Sequence, residues 1–169
     1  AFPGVSENDA YFTIPPTWQW ERLGNLAAMN DSGWSPQCLA ISRTGSDWGV
    51  LKVSAVTWDR FQPEENKALP PHLQPRAEYE VMDGDLLMSR ANTFDLVAKS
   101  VVVESPPPHL MMSDKIVRFR FHDGINPQYI NLFNLSSWAR DYYASNASGT
   151  SSSMKNIGRN VMCLLPVPV

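Results

Sequence analysis

Residues 84–93 read GDLLMSRANT, and FDLVAKSVVV follows at once. Gly84-Asp85 is turn chemistry and Leu86 to Met88 form a short apolar strand. Arg90, Asn92 and Thr93 then crowd into four positions. Side chains of these types make poor core residues and good hydrogen-bonding ones. They either tie their own loop to nearby backbone, as Asn and Thr readily do, or offer donors and acceptors to a partner.

Catalytic constellations are harder to assemble. Asn126-Pro127-Gln128-Tyr129 resembles the Asn-Pro-Pro-Tyr motif of adenine methyltransferases, but the nine glycines never fall as G-x-G and no βαβ unit precedes it. The same residues start a helix well, with Asn126 as cap and Pro127 at its first position. Asp85 and Lys99 would suit a restriction-type nuclease only with an acid two residues before the lysine, where Val97 stands. His72, His109 and His122 lack metal-ligand spacing with one another or with Cys38 and Cys163. No G-x-S-x-G turn or phosphate-cradling glycine loop occurs. The expectation is a chain with no catalytic residues and no metal.

The elements that must position the Arg90 loop are mostly strands. WGVLKVSAV (48–56) and LVAKSVVV (96–103) are rich in β-formers. Residues 62–75 carry four prolines and read as loop. KIVRFRF (115–121) alternates, with Val117, Phe119 and Phe121 on one face and Arg118 and Arg120 on the other. Beyond Asn126, Leu135, Trp138, Ala139 and Tyr142 share one helical face. SNASGTSSSMKN (145–156) reads as polar loop. The fold expected is α/β (mixed α+β): a curved, mainly antiparallel β-sheet with one prominent late helix over about 127–145.

At 169 residues, 43% hydrophobic and 18% charged, the composition is that of a globular domain with a substantial core. No apolar run is long enough to cross a membrane. AFPGVSENDAYF at the N-terminus has neither the basic region nor the apolar core of a signal peptide. A cytoplasmic location with both cysteines reduced is expected. The net charge of −3 is unevenly spread: residues 1–85 hold twelve acids against six lysines and arginines, and residues 86–169 five against eight. Any electrostatic footprint for a polyanion lies in the second half.

Three landmarks resemble the target recognition domain of a type I restriction-modification specificity subunit. They are the entry segment IPPTWQWERLGNL (14–26), the Gly-Asp strand and return strand GDLLMSRANTFDLVAKSVVV (84–103), and the Ser-rich loop and proline exit SGTSSSMKNIGRNVMCLLPVPV (148–169). Together, in order, they bracket almost the whole chain. Two departures stand out. Ala98 occupies a place where the family often has glycine, and the chain ends at Val169 where the family's exit prolines lead into a long helix. The resemblance implies a lead-in over 1–14 and a single recognition domain over 15–169, truncated before its spacer helix.

It further implies a non-catalytic module that reads one half of a bipartite double-stranded DNA target beside a second recognition domain. Modification (methyltransferase) subunits using S-adenosylmethionine and an ATP- and Mg²⁺-dependent restriction subunit would be its partners, and no cofactor would bind here. On this reading Arg90 forks onto guanine, Asn92 onto adenine, and Thr93 serves base or phosphate. Thr150, Ser151, Ser152 and Lys155 form a phosphate-gripping loop. Arg118 and Arg120 make a phosphate track or a solvated face, and Lys52, Ser54 and Lys99 are further candidates at strand ends. The alternative is a β-rich protein-interaction module that uses an aromatic surface, six tryptophans among its residues.

Overall fold

The alternation in KIVRFRF does produce a strand, and it lies at the centre of the molecule. The computed structural model describes residues 1–169. In chain order they form β1 (Trp20–Arg22), α1 (Leu23–Leu26), β2 (Ala27–Ser32), β3 (Gly49–Leu51), β4 (Asn66–Ala68), β5 (Leu86–Ser89), β6 (Ala91–Asn92), β7 (Ser100–Val102), β8 (Leu110–Met111) and β9 (Ile116–Phe121). There follow α2 (Pro127–Asn134), α3 (Ser137–Asn146), β10 (Ser148–Ser151), β11 (Met154–Asn156), α4 (Arg159–Cys163) and β12 (Pro166–Pro168). The fold is mixed α+β. No helix is long and apolar enough to cross a membrane, and both cysteines are free.

A four-stranded antiparallel sheet in the order β2-β9-β5-β7 forms the middle layer. Side chains alternate across it, so each strand feeds two cores. On one face Leu86, Met88, Val117 and Phe119 pack with Ile130 and Phe133 of α2 and Ala139 and Tyr143 of α3. On the other, Leu87, Val101 and Ile116 pack with Leu51, Ala55, Val56, Leu110 and Met112. That second layer comes from the three-stranded sheet β4-β3-β8, in which β3 runs parallel to β8, and from the turn after β3.

The second core overturns the expected role of Arg118. Its face of β9 is covered, and the side chain is 1% exposed. Arg118 donates from Nε and one terminal nitrogen to the two oxygens of Asp31 (2.9 and 2.7 Å), and to the carbonyls of Glu80 and Glu78 (both 2.7 Å). Arg120 forks onto the fully buried Asp85 at 2.7 and 2.9 Å. That carboxylate holds the Arg120 guanidinium above its usual pKa. The two arginines brace β2, β9 and the turn before β5; Arg118 is sealed inside, while Arg120 stays 39% exposed with its guanidinium committed to Asp85, so they do not form a run of free cations.

The late helix is two helices. Asn126 caps α2 as its sequence suggested, accepting from the Gln128 amide at 2.9 Å with Pro127 in the first turn. The chain then breaks at Leu135, and Ser136 caps α3 by accepting from the Ala139 amide. Ala139 and Tyr143 are the buried residues of α3, while Trp138 is 45% exposed against Phe12. Buried Asn134 at the junction donates to the Ala98 carbonyl and to Ser100 Oγ and accepts from the Tyr143 hydroxyl, which satisfies every group there.

The first and last strands close the molecule. β1 and β12 pair antiparallel with Trp20 opposite Pro168, and Gln19 and Val169 exchange backbone hydrogen bonds of 2.7 and 2.8 Å. Residues 1–14 are tied on as well. Phe2 and Asn25 exchange two hydrogen bonds, and Arg22 meets Asp9 at 2.8 Å.

Candidate nucleic-acid interface

Arg90 leaves the central sheet where β5 ends, and its position is set by backbone on both sides. The Arg90 amide donates to the Lys115 carbonyl at 2.8 Å, and its carbonyl accepts from the Ile157 amide at 2.9 Å. The next two residues, β6, pair with β11 so that Asn92 faces Lys155 and Ala91 faces Asn156. β11 in turn forms a hairpin with β10, and the Phe94 amide donates to the Ser152 carbonyl at 3.0 Å. The segment expected as a polar loop is therefore a hairpin, and it brings Thr150, Ser151 and Lys155 into one three-stranded sheet with Asn92, with Ser152 in the connecting turn. Residues 148–154 are exposed throughout.

Within this sheet the side chains differ in what they are free to do. The Arg90 guanidinium makes no hydrogen bond or ion pair, and its Nε is buried without a partner. An unsatisfied buried donor of this kind costs about 1–3 kcal/mol. Asn92 spends its oxygen on the Thr93 amide (2.8 Å) and reaches Thr57 Oγ1 only at 3.4 Å. Part of the local loop-holding role is thus real. Ser151 Oγ lies 2.7 Å from Ser153 Oγ, and Lys155 Nζ donates to the Gly149 carbonyl at 2.6 Å.

The remaining sequence candidates sit elsewhere. Lys52 and Ser54 both engage Glu65, at 2.8 and 2.7 Å. The Lys52 bond, then that of Ser54, holds the Glu65 carboxyl below its ordinary pKa. Lys99 is half-buried at the foot of the β5–β7 turn, where its carbonyl accepts from the Ser89 amide. Ala98 beside it has φ +61°, the left-handed conformation that glycine adopts most easily. The alanine departure therefore keeps the turn shape that a glycine would give. Lys115 was missed, because only the three-dimensional pairing of Arg90 with residue 115 reveals it as a neighbour. Phe94 and Met154, 46% and 52% exposed, flank the same sheet. No group of three or more His, Cys, Asp or Glu side chains is gathered to hold a metal.

The tryptophans do not form one surface. Trp34 lies under the Arg76 guanidinium, Trp48 stacks on His109, and Trp20 packs among Tyr11, Phe12 and Phe133. The exposed three separate: Trp18 against Tyr129, Trp138 against Phe12, and Trp58 beyond the turn after β3.

The chain matches no family model. It is 39% identical over 167 residues to the type I restriction enzyme EcoEI specificity subunit of Escherichia coli, an alignment covering 98% of this chain and 28% of that protein. Among solved structures it superposes on a chain from a study of complex assembly and conformational transition of the type I R-M system, with TM-score 0.61 and 16% identity. It likewise resembles the HsdS subunit from Thermoanaerobacter tengcongensis (0.58, 17%) and a type-I restriction-modification system S subunit from M. genitalium (0.54, 7%). Each superposition covers 94% of this chain and 34–36% of the other. The chain thus spans about a third or less of the proteins it matches.

Proposed function

We propose that this chain, 39% identical over 98% of its length to a type I restriction enzyme specificity subunit of which it spans 28%, is a recognition domain of that family and reads one half of a bipartite double-stranded DNA sequence without catalysis of its own. The observation that carries this reading is Arg90. It is a guanidinium with no intramolecular partner, held at the edge of an exposed sheet that also presents Asn92, Thr93 and Lys155. An arginine left unpaired at such an edge has the fork geometry for guanine O6 and N7. The neighbouring hydroxyls and the Lys155 ammonium suit phosphate oxygens.

In this reading a second recognition domain supplies the other half-site. Modification subunits carry S-adenosylmethionine and methylate the DNA, a restriction subunit uses ATP and Mg²⁺, and the assembly works in the cytoplasm. One reader alone on a chain of net charge −3 is expected to bind DNA weakly, near the non-specific range of about 10⁻⁴–10⁻⁶ M. The test therefore uses the intact subunit in its assembled complex. Arg90→Ala is expected to cost roughly 1–3 kcal/mol on the cognate half-site and little on other sequences. Lys155→Ala is expected to weaken all sequences alike and to lower the salt slope by about one unit. If Arg90→Ala leaves both affinity and methylation pattern untouched, the Arg90 loop is structural and the proposal fails.

A further inference from the structure

Three of the chain's five lysines, at positions 52, 67 and 115, line a single open cleft of about 640 Å³. They arrive from separate parts of the sequence. Lys52 follows β3, Lys67 lies in β4 opposite Val50, and Lys115 precedes β9. Lys67 and Lys115 are exposed and have no carboxylate within ion-pair distance, whereas Lys52 shares Glu65. Asp114 is the one acidic residue of the lining, and its carboxylate accepts from Ser35 Oγ at 2.6 Å. In a protein of net charge −3 this is a local excess of positive charge.

The cleft adjoins the Arg90 sheet by two routes. Lys115 gives its carbonyl to the Arg90 amide. Val53, part of the lining, accepts from Thr57 Oγ1 at 2.7 Å, and Thr57 Oγ1 is the contact of Asn92 Nδ2. Lys67 and Lys115 have no carboxylate partner to offset their charge, so an anionic occupant of the cleft would be favoured by both. The lining mixes apolar side chains (Val50, Leu51, Val53) with the three ammonium groups and the hydroxyl-bearing Ser35 and Ser113, and the unpaired charge of Lys67 and Lys115 suits an anion better than a wholly apolar ligand.

We infer that the Lys52–Lys67–Lys115 cleft holds the DNA sugar-phosphate backbone flanking the half-site that the Arg90 loop reads. This rests on the DNA-reading function proposed above and extends it from base edges to the strand alongside. Each phosphate neutralised by a lysine releases condensed counterions and adds about 0.9 to the slope of log K against log salt.

The experiment is a salt titration of duplex binding by the intact subunit in its complex, comparing wild type, Lys67→Ala/Lys115→Ala and the charge-preserving Lys67→Arg/Lys115→Arg. The alanine pair is expected to lower the slope by about two units, to weaken cognate and non-cognate duplexes by the same factor, and to leave the methylated sequence unchanged. The arginine pair is expected to keep the wild-type slope. A wild-type slope in the alanine pair overturns the inference. So does pyrophosphate that shifts the melting temperature of wild type but not of the alanine pair while duplex binding is unaffected, because the occupant is then a small anion. Arg90→Ala, run alongside, reports on base reading separately, so loss of the cleft assignment and loss of the reading function give different results.

Discussion

Replacing Arg118 with methionine keeps most of the side chain's length and apolar contact while deleting its guanidinium. Four hydrogen bonds disappear, two of them to Asp31 and two to backbone carbonyls, together with a 3.7 Å contact to Asp85. Removing one partner of a buried ion pair typically costs about 3–5 kcal/mol, because the opposite charge stays behind. Two features pull the figure toward the lower end. Asp31 is 25% exposed and can regain water, and Asp85 keeps the Arg120 fork and the Met82 amide. We therefore expect Arg118→Met to lose about 3 kcal/mol in urea denaturation, and about 6–12 °C in melting temperature for a domain of this size. The salt dependence of DNA binding should not change, since the side chain never reaches solvent. A variant within about 1 kcal/mol of wild type, or one whose salt slope drops by a full unit, would refute the bracing role.

Two further outcomes follow from backbone and burial. Ala98→Gly deletes a buried methyl group but relieves a left-handed alanine, terms of about 0.8 and 1–2 kcal/mol that oppose each other. It should stay within about 1 kcal/mol of wild type by urea denaturation, whereas Ala139→Gly inside α3 loses about 2 kcal/mol; equal losses would contradict this. Burial raises the Cys163 thiol from its ordinary 9.0 to about 11, and the Tyr11 and Tyr142 hydroxyls from 10.0 to about 12. The folded state holds these protons more tightly than the unfolded chain. That stability is fully present below about pH 9 and is lost as pH rises through 9 to 12. Melting temperatures from pH 8 to 11 should fall above pH 9, and a flat profile would show that the three groups are not protected.

What the sequence made legible was local. The Asn126-Pro127 helix start depends on two adjacent residues and is seen as expected. The alternation in β9 was equally readable, but only one of its two faces. Hydrophobic periodicity marks Val117 and Phe119 as inward. It is silent on whether residues 51–56 and 110–112 will cover the side that carries Arg118. The hairpin at 148–156 escaped notice because its strands are polar and exposed; they exist through backbone pairing with β6, which leaves no apolar pattern. The split of the late helix had a signal in Ser136-Ser137, overridden by apolar spacing that runs on unbroken through the junction. Of the candidate interface, Arg90, Asn92 and Lys155 were singled out by residue type, and the pairing of β6 with β11 sets Asn92 opposite Lys155. Lys67 and Lys115 join Lys52 only through the tertiary fold.

The clasp between Gln19 and Val169 has a consequence for any longer polypeptide that carries this domain. The chain arrives and departs one strand spacing apart, about 4.8 Å, and the domain's own hydrogen bonds fix that gap. To its host the inserted domain is equivalent to a very short connection, and the entropy of closing some 150 intervening residues is met inside the insert. The host's geometry at the joint is then independent of how the sheet of β6, β10 and β11 is built. Residues 90–93 and 148–156 can vary in sequence, and the seam through which the domain is spliced does not move.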